Sequence, residues 1–221
     1  MINKDTIICC SFAKTAGNTG CFMYNTAFKC LNLNYIYKSF SISNIKDAIF
    51  SARTLCFRGC SITMPFKIEV LNYIDQMSDE VVEIGATNTI VNTDGILKAY
   101  NTDAYSSYNL LNQYKNFDTI YILGDGGFSK AVQYSSRKLF QNINLITRKN
   151  WHIIDTIKNG LIFNCTPIAI KTDTSNTYID CNVINSETGK ELALLQASKQ
   201  FELYTGVEFP IQHIKCMSAF K

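Results

Sequence analysis

A glycine-rich segment, Gly124-Asp125-Gly126-Gly127, is the first feature of the sequence that could support chemistry. The apolar run before it, Asp118 to Leu123, predicts a β-strand, and residues 128–140 have a helical pattern. Glycines between a strand and a helix let backbone N–H groups approach a pyrophosphate, and the positive end of the helix dipole favours the anion. The segment indicates a nucleotide site, and an ordinary turn is the alternative. The expected nucleotide contacts are Gly124, Gly126, Gly127 and Phe128.

Two adjacent cations indicate which nucleotide would bind. The next predicted strand, Asn142 to Thr147, is followed by Arg148 and Lys149. NAD-specific enzymes usually carry an acidic residue here for the ribose hydroxyls, whereas cations suit the 2′-phosphate of NADP. Thr147, Arg148 and Lys149 are therefore candidate NADP contacts. The alternative is a solvated basic turn.

Strands that alternate with helices predict an α/β fold that would position these groups. In the first part of the chain, we expect strands at 6–12, 35–40 and 59–63 and helices at 21–31, 43–53 and 67–76. Thr87 to Val91 and Ile96 to Tyr100 have the pattern of a hairpin, because Asp94-Gly95 supplies the left-handed backbone of a tight turn.

The second part of the chain has the pattern of a nucleotide-binding unit. We expect strands at 118–123, 142–147, 161–164 and 178–181 and helices at 128–140, 150–158 and 187–202. These elements predict a substrate-binding and catalytic domain at 1–102, to which 203–221 return, and a Rossmann-like NADP-binding domain at 103–202.

Composition narrows the classes of function. Hydrophobic residues make up 47% of the chain and charged residues 18%, as in ordinary globular proteins. The net charge is only +3, and the cations are scattered, so we expect no nucleic-acid partner. The chain has 9 cysteines without a Cys-x-x-Cys pair, which argues against a disulfide framework or a metal site. No uncharged apolar run reaches about 18 residues, and we expect a cytoplasmic protein without a membrane partner.

Several motifs, in their order along the chain, resemble those of shikimate dehydrogenases, most of all the shikimate dehydrogenase-like subfamily. The matching segments are 61–67, 85–89, 99–103, 124–131, 164–167 and 196–206. The resemblance implies reversible NADP-dependent hydride transfer between a cyclic hydroxy acid (shikimate, quinate or a relative) and its 3-dehydro ketone, within the shikimate pathway. It also implies a homodimer.

The resemblance implies roles for individual residues. Lys67 and Asp103 match the catalytic pair, and a lysine beside a carboxylate can protonate the alkoxide that hydride transfer leaves on a ketone. The matched substrate contacts are Asn18, Thr63, Asn88, Gln196 and Tyr204. The matched cofactor contacts beyond the glycine loop are Asn164, Thr166 and Pro167. Without the resemblance, Lys67 would be interpreted as a surface lysine and Asp103 as a helix cap.

Some positions depart from the family pattern. Asn18 and Gly20 occupy the positions of two serines that the family associates with the substrate carboxylate. The segment between Asp180 and Gln196 is too short for the helix and strand that the family has there. Asp125 would repel a pyrophosphate unless its side chain points to solvent. These departures leave a non-catalytic binding or sensor protein as the alternative function.

Overall fold

The computed structural model describes residues 2–183 and 186–216. The chain forms two compact units, the first made of Met1–Thr102 and Ala197–Lys221 and the second of Asp103–Gln196. The first boundary follows Thr102. The second boundary lies inside a helix, whereas the sequence placed the return at residue 203. The function of each unit stays a prediction at this point.

Strands and helices alternate over most of the chain, and the predicted α/β fold class is confirmed. The strands are β1 Ile7–Ala13, β2 Tyr35–Ser41, β3 Gly59–Ile62, β4 Gln76–Met77, β5 Thr89–Thr93, β6 Ile96–Tyr100, β7 Thr119–Leu123, β8 Asn142–Ile146, β9 Leu161–Asn164 and β10 Thr177–Asp180. The α-helices are α1 Thr19–Cys30, α2 Ile45–Thr54, α3 Asp79–Ile84, α4 Thr102–Leu111, α5 Gly127–Ser136, α6 Glu187–Thr205 and α7 Ile211–Lys215. Three short 3-10 helices cover Glu69–Tyr73, Asn112–Tyr114 and Trp151–Thr156.

The first unit contains a mixed six-stranded sheet in the order β2-β1-β3-β5-β6-β4. Strand β1 pairs in parallel with β2 and β3, and β5 is antiparallel to β3 and β6. Side chains alternate between the two faces of each strand. One face buries an apolar cluster against α2, including Cys10, Phe12, Ile62 and Ile90. The neighbouring residues Ser61 and Thr89 therefore point to the opposite face.

The second unit contains a parallel four-stranded sheet in the order β10-β9-β7-β8. The central strands β7 and β9 are mostly apolar and buried, because parallel strands in the middle of a sheet are covered on both faces, whereas β8 carries exposed asparagines. Buried side chains such as Leu110, Ile120, Phe163 and Leu192 form one apolar cluster, and Leu123, Ile146, Ile154 and Ile162 form another. After β7 the chain pairs first on one side with β8 and later on the other side with β9. The strand order therefore reverses next to β7.

The predicted hairpin is present between β5 and β6. Asp94 and Gly95 have φ values of 51° and 86°, which is the left-handed backbone that the Asp-Gly pair predicts. The side chain of Asn92 accepts a hydrogen bond from the Gly95 N–H at 2.9 Å and closes the turn. The local sequence was therefore sufficient to predict this element.

Two predicted helices were wrong in type, and one helix was missed. Residues 67–76 form a 3-10 helix only over Glu69–Tyr73, because the Asp75 N–H already bonds to the Leu97 carbonyl and the chain continues as β4. Residues 150–158 form the 3-10 helix Trp151–Thr156, since Asn159, at φ 52°, turns the chain towards β9. Helix α3 was not predicted, and it ends at Gly85 in the left-handed conformation.

Within the described ranges, no helix combines the length and apolar character needed to cross a membrane.

Candidate functional site

The turn after β3 fixes the backbone on both sides of Lys67. Phe66 is buried, and its N–H donates to the Thr63 carbonyl at 2.9 Å. The Lys67 carbonyl accepts a hydrogen bond from the Thr87 N–H at 2.8 Å. Thr63 is exposed and Lys67 is half-buried. The backbone of the predicted catalytic lysine is therefore connected to the Gly85–Thr89 motif, and the side chain of Lys67 is partly exposed.

Asn88 lies at the start of β5 with its side chain fully buried. Its Oδ1 accepts hydrogen bonds from the Thr102 N–H at 2.8 Å and from Thr89 Oγ1 at 2.9 Å. Its Nδ2 donates to Thr102 Oγ1 at 3.0 Å. These bonds hold the Asn101-Thr102 segment, which leads into α4, against the end of the sheet. Asn101 adds a bond from its Nδ2 to the Ala86 carbonyl at 2.8 Å.

A buried polar cluster surrounds Gln200 on the sheet face that α1 and α6 cover. Gln200 Nε2 donates to Thr89 Oγ1 at 2.8 Å and to the Asn88 carbonyl at 3.1 Å. Its Oε1 accepts hydrogen bonds from Tyr24 and Ser61. Gln200 was not among the site residues predicted from the sequence. Its presence in the 196–206 motif, one helical turn after Gln196, was the only signal for it.

Two of the predicted substrate contacts have contrasting environments. Tyr204 is buried, its hydroxyl lies 3.2 Å from Ser61 Oγ, and its ring covers Gly59, where an added Cβ would lie 2.3 Å from the ring. Asn18 is exposed at the start of α1, where its side chain makes no capping hydrogen bond. The side chain of Tyr204 is therefore part of the core, whereas that of Asn18 is accessible.

Asp103 lies in the first turn of α4 and is almost completely buried. Its charge acts on the segment after β9. Burial, the Cys181 thiol and the carboxylates of Asp103 and Asp180 all raise the pKa of Cys165. The second unit therefore brings Asp103 near the Asn164-Cys165-Thr166-Pro167 motif. Lys67 belongs to the first unit, so the pairing of Lys67 with Asp103 stays a prediction.

The glycine loop follows β7 as the sequence predicted. Gly124 has a φ of 96°, and an added Cβ would lie 2.9 Å from Thr166 Cγ2, so both the backbone and the space require glycine. Gly126 precedes α5, whose first turn contains no acidic residue and whose first residue is Gly127. Asp125 is exposed. Phe128 packs its ring against Phe163 in an edge-to-face contact.

A buried asparagine builds the turn after β9. Asn164 Oδ1 accepts hydrogen bonds from the Thr166 N–H at 3.0 Å and from Thr166 Oγ1 at 2.7 Å. Its Nδ2 donates to the Ile168 carbonyl at 2.9 Å. The side chain therefore holds Thr166 beside Gly124, and Pro167 lies exposed in the same turn. The glycine loop and this turn flank the reversal of strand order, where open α/β sheets bind ligands.

The cations after β8 are presented on a fixed turn. Arg148 and Lys149 are exposed, and Thr147 is half-buried. Asn150 organises the turn, since its Oδ1 accepts the Thr147 N–H at 2.7 Å and its Nδ2 donates to the Leu145 carbonyl at 3.1 Å. The sequence did not predict this role for Asn150. An asparagine just after two cations is the type of residue that closes such a turn.

A pocket of about 280 Å³ lies within the second unit, between the 3-10 helix after β8 and the segment after β9. It is lined by Trp151, His152, Ile154, Asp155, Ile168, Ala169, Ile170 and Lys171. Aromatic and aliphatic walls with a few charged groups are typical of small-molecule sites. Its lining residues closely follow two of the three segments that the sequence assigned to a cofactor, 147–149 and 164–167. Gln196, the last residue of this unit, is half-buried on α6.

Comparisons with known proteins agree with the motifs. The family described as the shikimate dehydrogenase substrate binding domain matches residues 19–90. A shikimate dehydrogenase-like protein of Haemophilus influenzae is 31% identical over an alignment that covers 93% of each chain. A shikimate dehydrogenase (NADP(+)) of Methanosphaera stadtmanae is 30% identical over 83% of this chain and 86% of its own length. The solved structure of a shikimate 5-dehydrogenase-like protein superposes with a TM-score of 0.85 at 28% identity, covering 100% of this chain and 99% of the other.

Proposed function

The chain belongs to the shikimate dehydrogenase family, and from this premise we propose that it interconverts a cyclic hydroxy acid, such as shikimate or quinate, and its 3-dehydro ketone with NADP. The observation that carries the proposal is the pair of loops at the reversal of strand order, where Gly124 and the Thr166 turn meet beside the exposed cations after β8. The name of the relative from Methanosphaera stadtmanae gives NADP as its cofactor. The cations Arg148 and Lys149 fit the extra 2′-phosphate of NADP.

The residues of the second unit fit this cofactor. The backbone of the glycine loop and the first turn of α5 would offer N–H groups to the pyrophosphate. Arg148, Lys149 and Thr147 would bind the 2′-phosphate, and Thr166 and Pro167 would line the path towards the reacting end. The cofactor, when bound, accepts or delivers the hydride. The protein would contribute the loop N–H groups that bind the pyrophosphate and the cations that bind the 2′-phosphate.

The first unit would bind the hydroxy acid. Lys67, fixed by its backbone bond to Thr87, would hold the proton that passes to or from the reacting oxygen, with Asp103 as its acidic partner. Thr63 and Asn18 are accessible and would donate to hydroxyl and carboxylate oxygens. Asn88 and Gln196 would contact ring hydroxyls. The buried position of Tyr204 favours a role in supporting this surface rather than a large direct contact.

A non-catalytic binding protein is the second candidate. The observation that favours it is the four-stranded sheet, in which β10 is followed closely by α6. Such a short sheet offers less surface for a nucleotide, while the polar groups of the first unit remain intact. The homodimer and the cytoplasmic location remain predictions from the sequence and the family.

Titration calorimetry separates the two candidates. NADP, NAD and shikimate are titrated separately into the wild type, Arg148→Ala and the control Lys115→Ala, which removes an exposed cation that precedes β7, at the end of the strand opposite the glycine loop. We expect NADP to bind the wild type and the control equally. Loss of a charge-assisted contact in Arg148→Ala should weaken NADP by about tenfold to a hundredfold and leave NAD unchanged. Binding of shikimate without either nucleotide would instead support the non-catalytic candidate.

A further inference from the structure

Gln200 is a polar residue in the interior of the first unit, with only 2% of its surface exposed. It lies on α6, and its amide reaches β3, β5 and α1 through the four hydrogen bonds described above. An amide side chain has two N–H donors and one oxygen with two lone pairs. All of this capacity is used, which is the condition under which a buried polar group is tolerated.

The hydroxyl protons around Gln200 can be assigned from the bonds themselves. Burial raises the pKa values of Tyr24, Tyr37 and Tyr204 well above the usual range, so their hydroxyls stay protonated. The Ser61 hydroxyl donates its one hydrogen bond to Gln200 Oε1 and accepts one from the Tyr37 hydroxyl at 2.9 Å. In its contact with Ser61, the Tyr204 hydroxyl is therefore the donor. The oxygen of the Gln200 amide therefore faces Ser61 and Tyr24, and the nitrogen faces β5.

The nitrogen side of Gln200 leads directly to Asn88. One N–H bonds to the Asn88 carbonyl, which also accepts the Ile62 N–H at 2.8 Å. The other N–H donates to Thr89 Oγ1, and the Thr89 hydroxyl in turn donates a hydrogen bond to Asn88 Oδ1. Gln200 thus acts on both the backbone and the side chain of Asn88. Through Asn88 it also acts on the Thr102 N–H, which is held by the same Oδ1.

We propose that Gln200 is a positioning residue for substrate binding, which orients Asn88 through the Asn88 carbonyl and the Thr89 hydroxyl. This inference rests on the proposed function for the contact between Asn88 and the hydroxy acid. The four hydrogen bonds of the Gln200 amide all go to groups of the protein, so its proposed role is indirect, through Asn88. Its effect is on affinity for the hydroxy acid and not on affinity for the nucleotide, because the bonds of Gln200 all lie within the first unit.

The test compares Gln200→Met, Thr89→Val and the double variant. Methionine has a similar length without hydrogen bonds, and valine keeps the shape of threonine without the hydroxyl. The control is Phe201→Leu, which perturbs the packing of the neighbouring α6 residue against Phe28 and Phe209 but leaves the polar cluster in place. KM for shikimate and for NADP and the thermal midpoint are measured for each protein.

Gln200→Met should raise KM for shikimate by about tenfold, since a net hydrogen bond contributes roughly the energy of a tenfold change. KM for NADP should not change. The double variant should differ little from the worse single variant, because both act through one chain of bonds. An unchanged KM for shikimate in folded Gln200→Met, or an equal rise in Phe201→Leu, would overturn the inference.

Amide hydrogen exchange distinguishes failure of this inference from failure of the proposed function. If the wild type does not turn over shikimate with NADP, the proposed function fails, and the exchange of the Thr102 N–H then decides the role of Gln200. The Leu97 N–H, which also bonds to a side chain, that of Asp75, at 2.7 Å, is the reference. In Gln200→Met, the Thr102 N–H should exchange about tenfold faster relative to that of Leu97. Equal acceleration at both amides would overturn the inference.

Discussion

The two units present their candidate functional groups in opposite ways. In the first unit, Asn88 and the residues that support it are buried and hydrogen-bonded, and only Thr63, Lys67 and Asn18 reach the surface region. In the second unit, Arg148, Lys149 and Pro167 are exposed, and the loop is shaped mainly by glycine. Under the proposed function, recognition of the hydroxy acid would be coupled to folding, whereas recognition of the nucleotide would depend on groups whose removal should cost little stability.

The reason for the difference lies in the sheets. The face of the mixed sheet that carries Ser61 and Thr89 is polar and is covered by helices, so its groups must bond to one another. In the parallel sheet, the central strands β7 and β9 are mostly apolar, and the candidate polar groups lie after the carboxyl ends of β7, β8 and β9.

The largest effect is expected for Lys67→Ala. Loss of the proton donor should lower kcat by about a hundredfold to ten-thousandfold, because general acid catalysis contributes that much. The variant should still fold, since it keeps the hydrogen bond from the Thr87 N–H to the backbone carbonyl of residue 67. Turnover of shikimate and differential scanning calorimetry measure the two effects. Lys46→Ala, an exposed lysine on α2, is the matched control, and a similar loss of rate there would contradict the role of Lys67.

Gly124→Ala should affect the nucleotide unit next most strongly. The left-handed backbone and the 2.9 Å approach to Thr166 Cγ2 make the added methyl group cost about 1–3 kcal/mol of stability. NADP affinity should fall as the loop moves away from the turn after β9. Gly126→Ala is the control for stability, because an added Cβ there meets no atom within 4 Å. Equal thermal midpoints for the two variants would show that the loop geometry is wrong.

Asn164→Ala tests whether the second unit also has a candidate site residue that is buried and contributes to stability. Asn164 is buried in the second unit, yet it is hydrogen-bonded like the residues around Asn88. Its loss should remove the bonds to the Ile168 carbonyl, the Thr166 N–H and Thr166 Oγ1, leave the longer 3.4 Å bond between Thr166 Oγ1 and the Ile168 carbonyl, and lower the free energy of unfolding by roughly 1–3 kcal/mol. NADP binding should weaken with it. Asn144→Ala, at an exposed position of β8, provides a control for denaturant unfolding.

The smallest effect is expected at the Arg53–Asp75 ion pair of the first unit. Hydrogen bonds from Arg53, and next from the Leu97 N–H, lower the pKa of Asp75. The folded pKa lies below the unfolded value, so the pair stabilises the fold above pH about 4 and the contribution is lost as pH falls through the folded value. Both side chains are about one third exposed, so solvent screening limits the contribution to about 0.5–1 kcal/mol. Asp75→Asn should be less stable than wild type at pH 7, and the difference should shrink in acid.

The features that could be predicted from the sequence are those encoded by neighbouring residues. Asp94-Gly95 determines the hairpin turn, and Gly124 to Gly127 lie between a strand and a helix as expected. The helix expected at 67–76 was wrong, because pairing of β4 with the distant β6 interrupts it. Pairing across the sheet is invisible in local periodicity.

The supporting residues of the site were harder to predict. Gln200 is separated from Thr89 by 111 positions in the chain, so no local pattern connects them. Asn150 and the pocket residue Trp151 act through the turn after β8, where the sequence showed only two cations and a short helical pattern. Motifs therefore predicted the groups that would touch ligands, and the structure was needed to find those that hold them.

The proposed NADP-dependent oxidation of a cyclic hydroxy acid is tested by turnover of the wild type with NADP and with NAD, on shikimate and on quinate. Formation of the reduced nicotinamide is followed by its absorbance, and Lys67→Ala is assayed in parallel. We expect NADP to be reduced with at least one of the two acids, NAD to be reduced more slowly, and the signal to be lost in the variant. Shikimate or quinate binding to the wild type without reduction of either nucleotide would contradict the proposed oxidation.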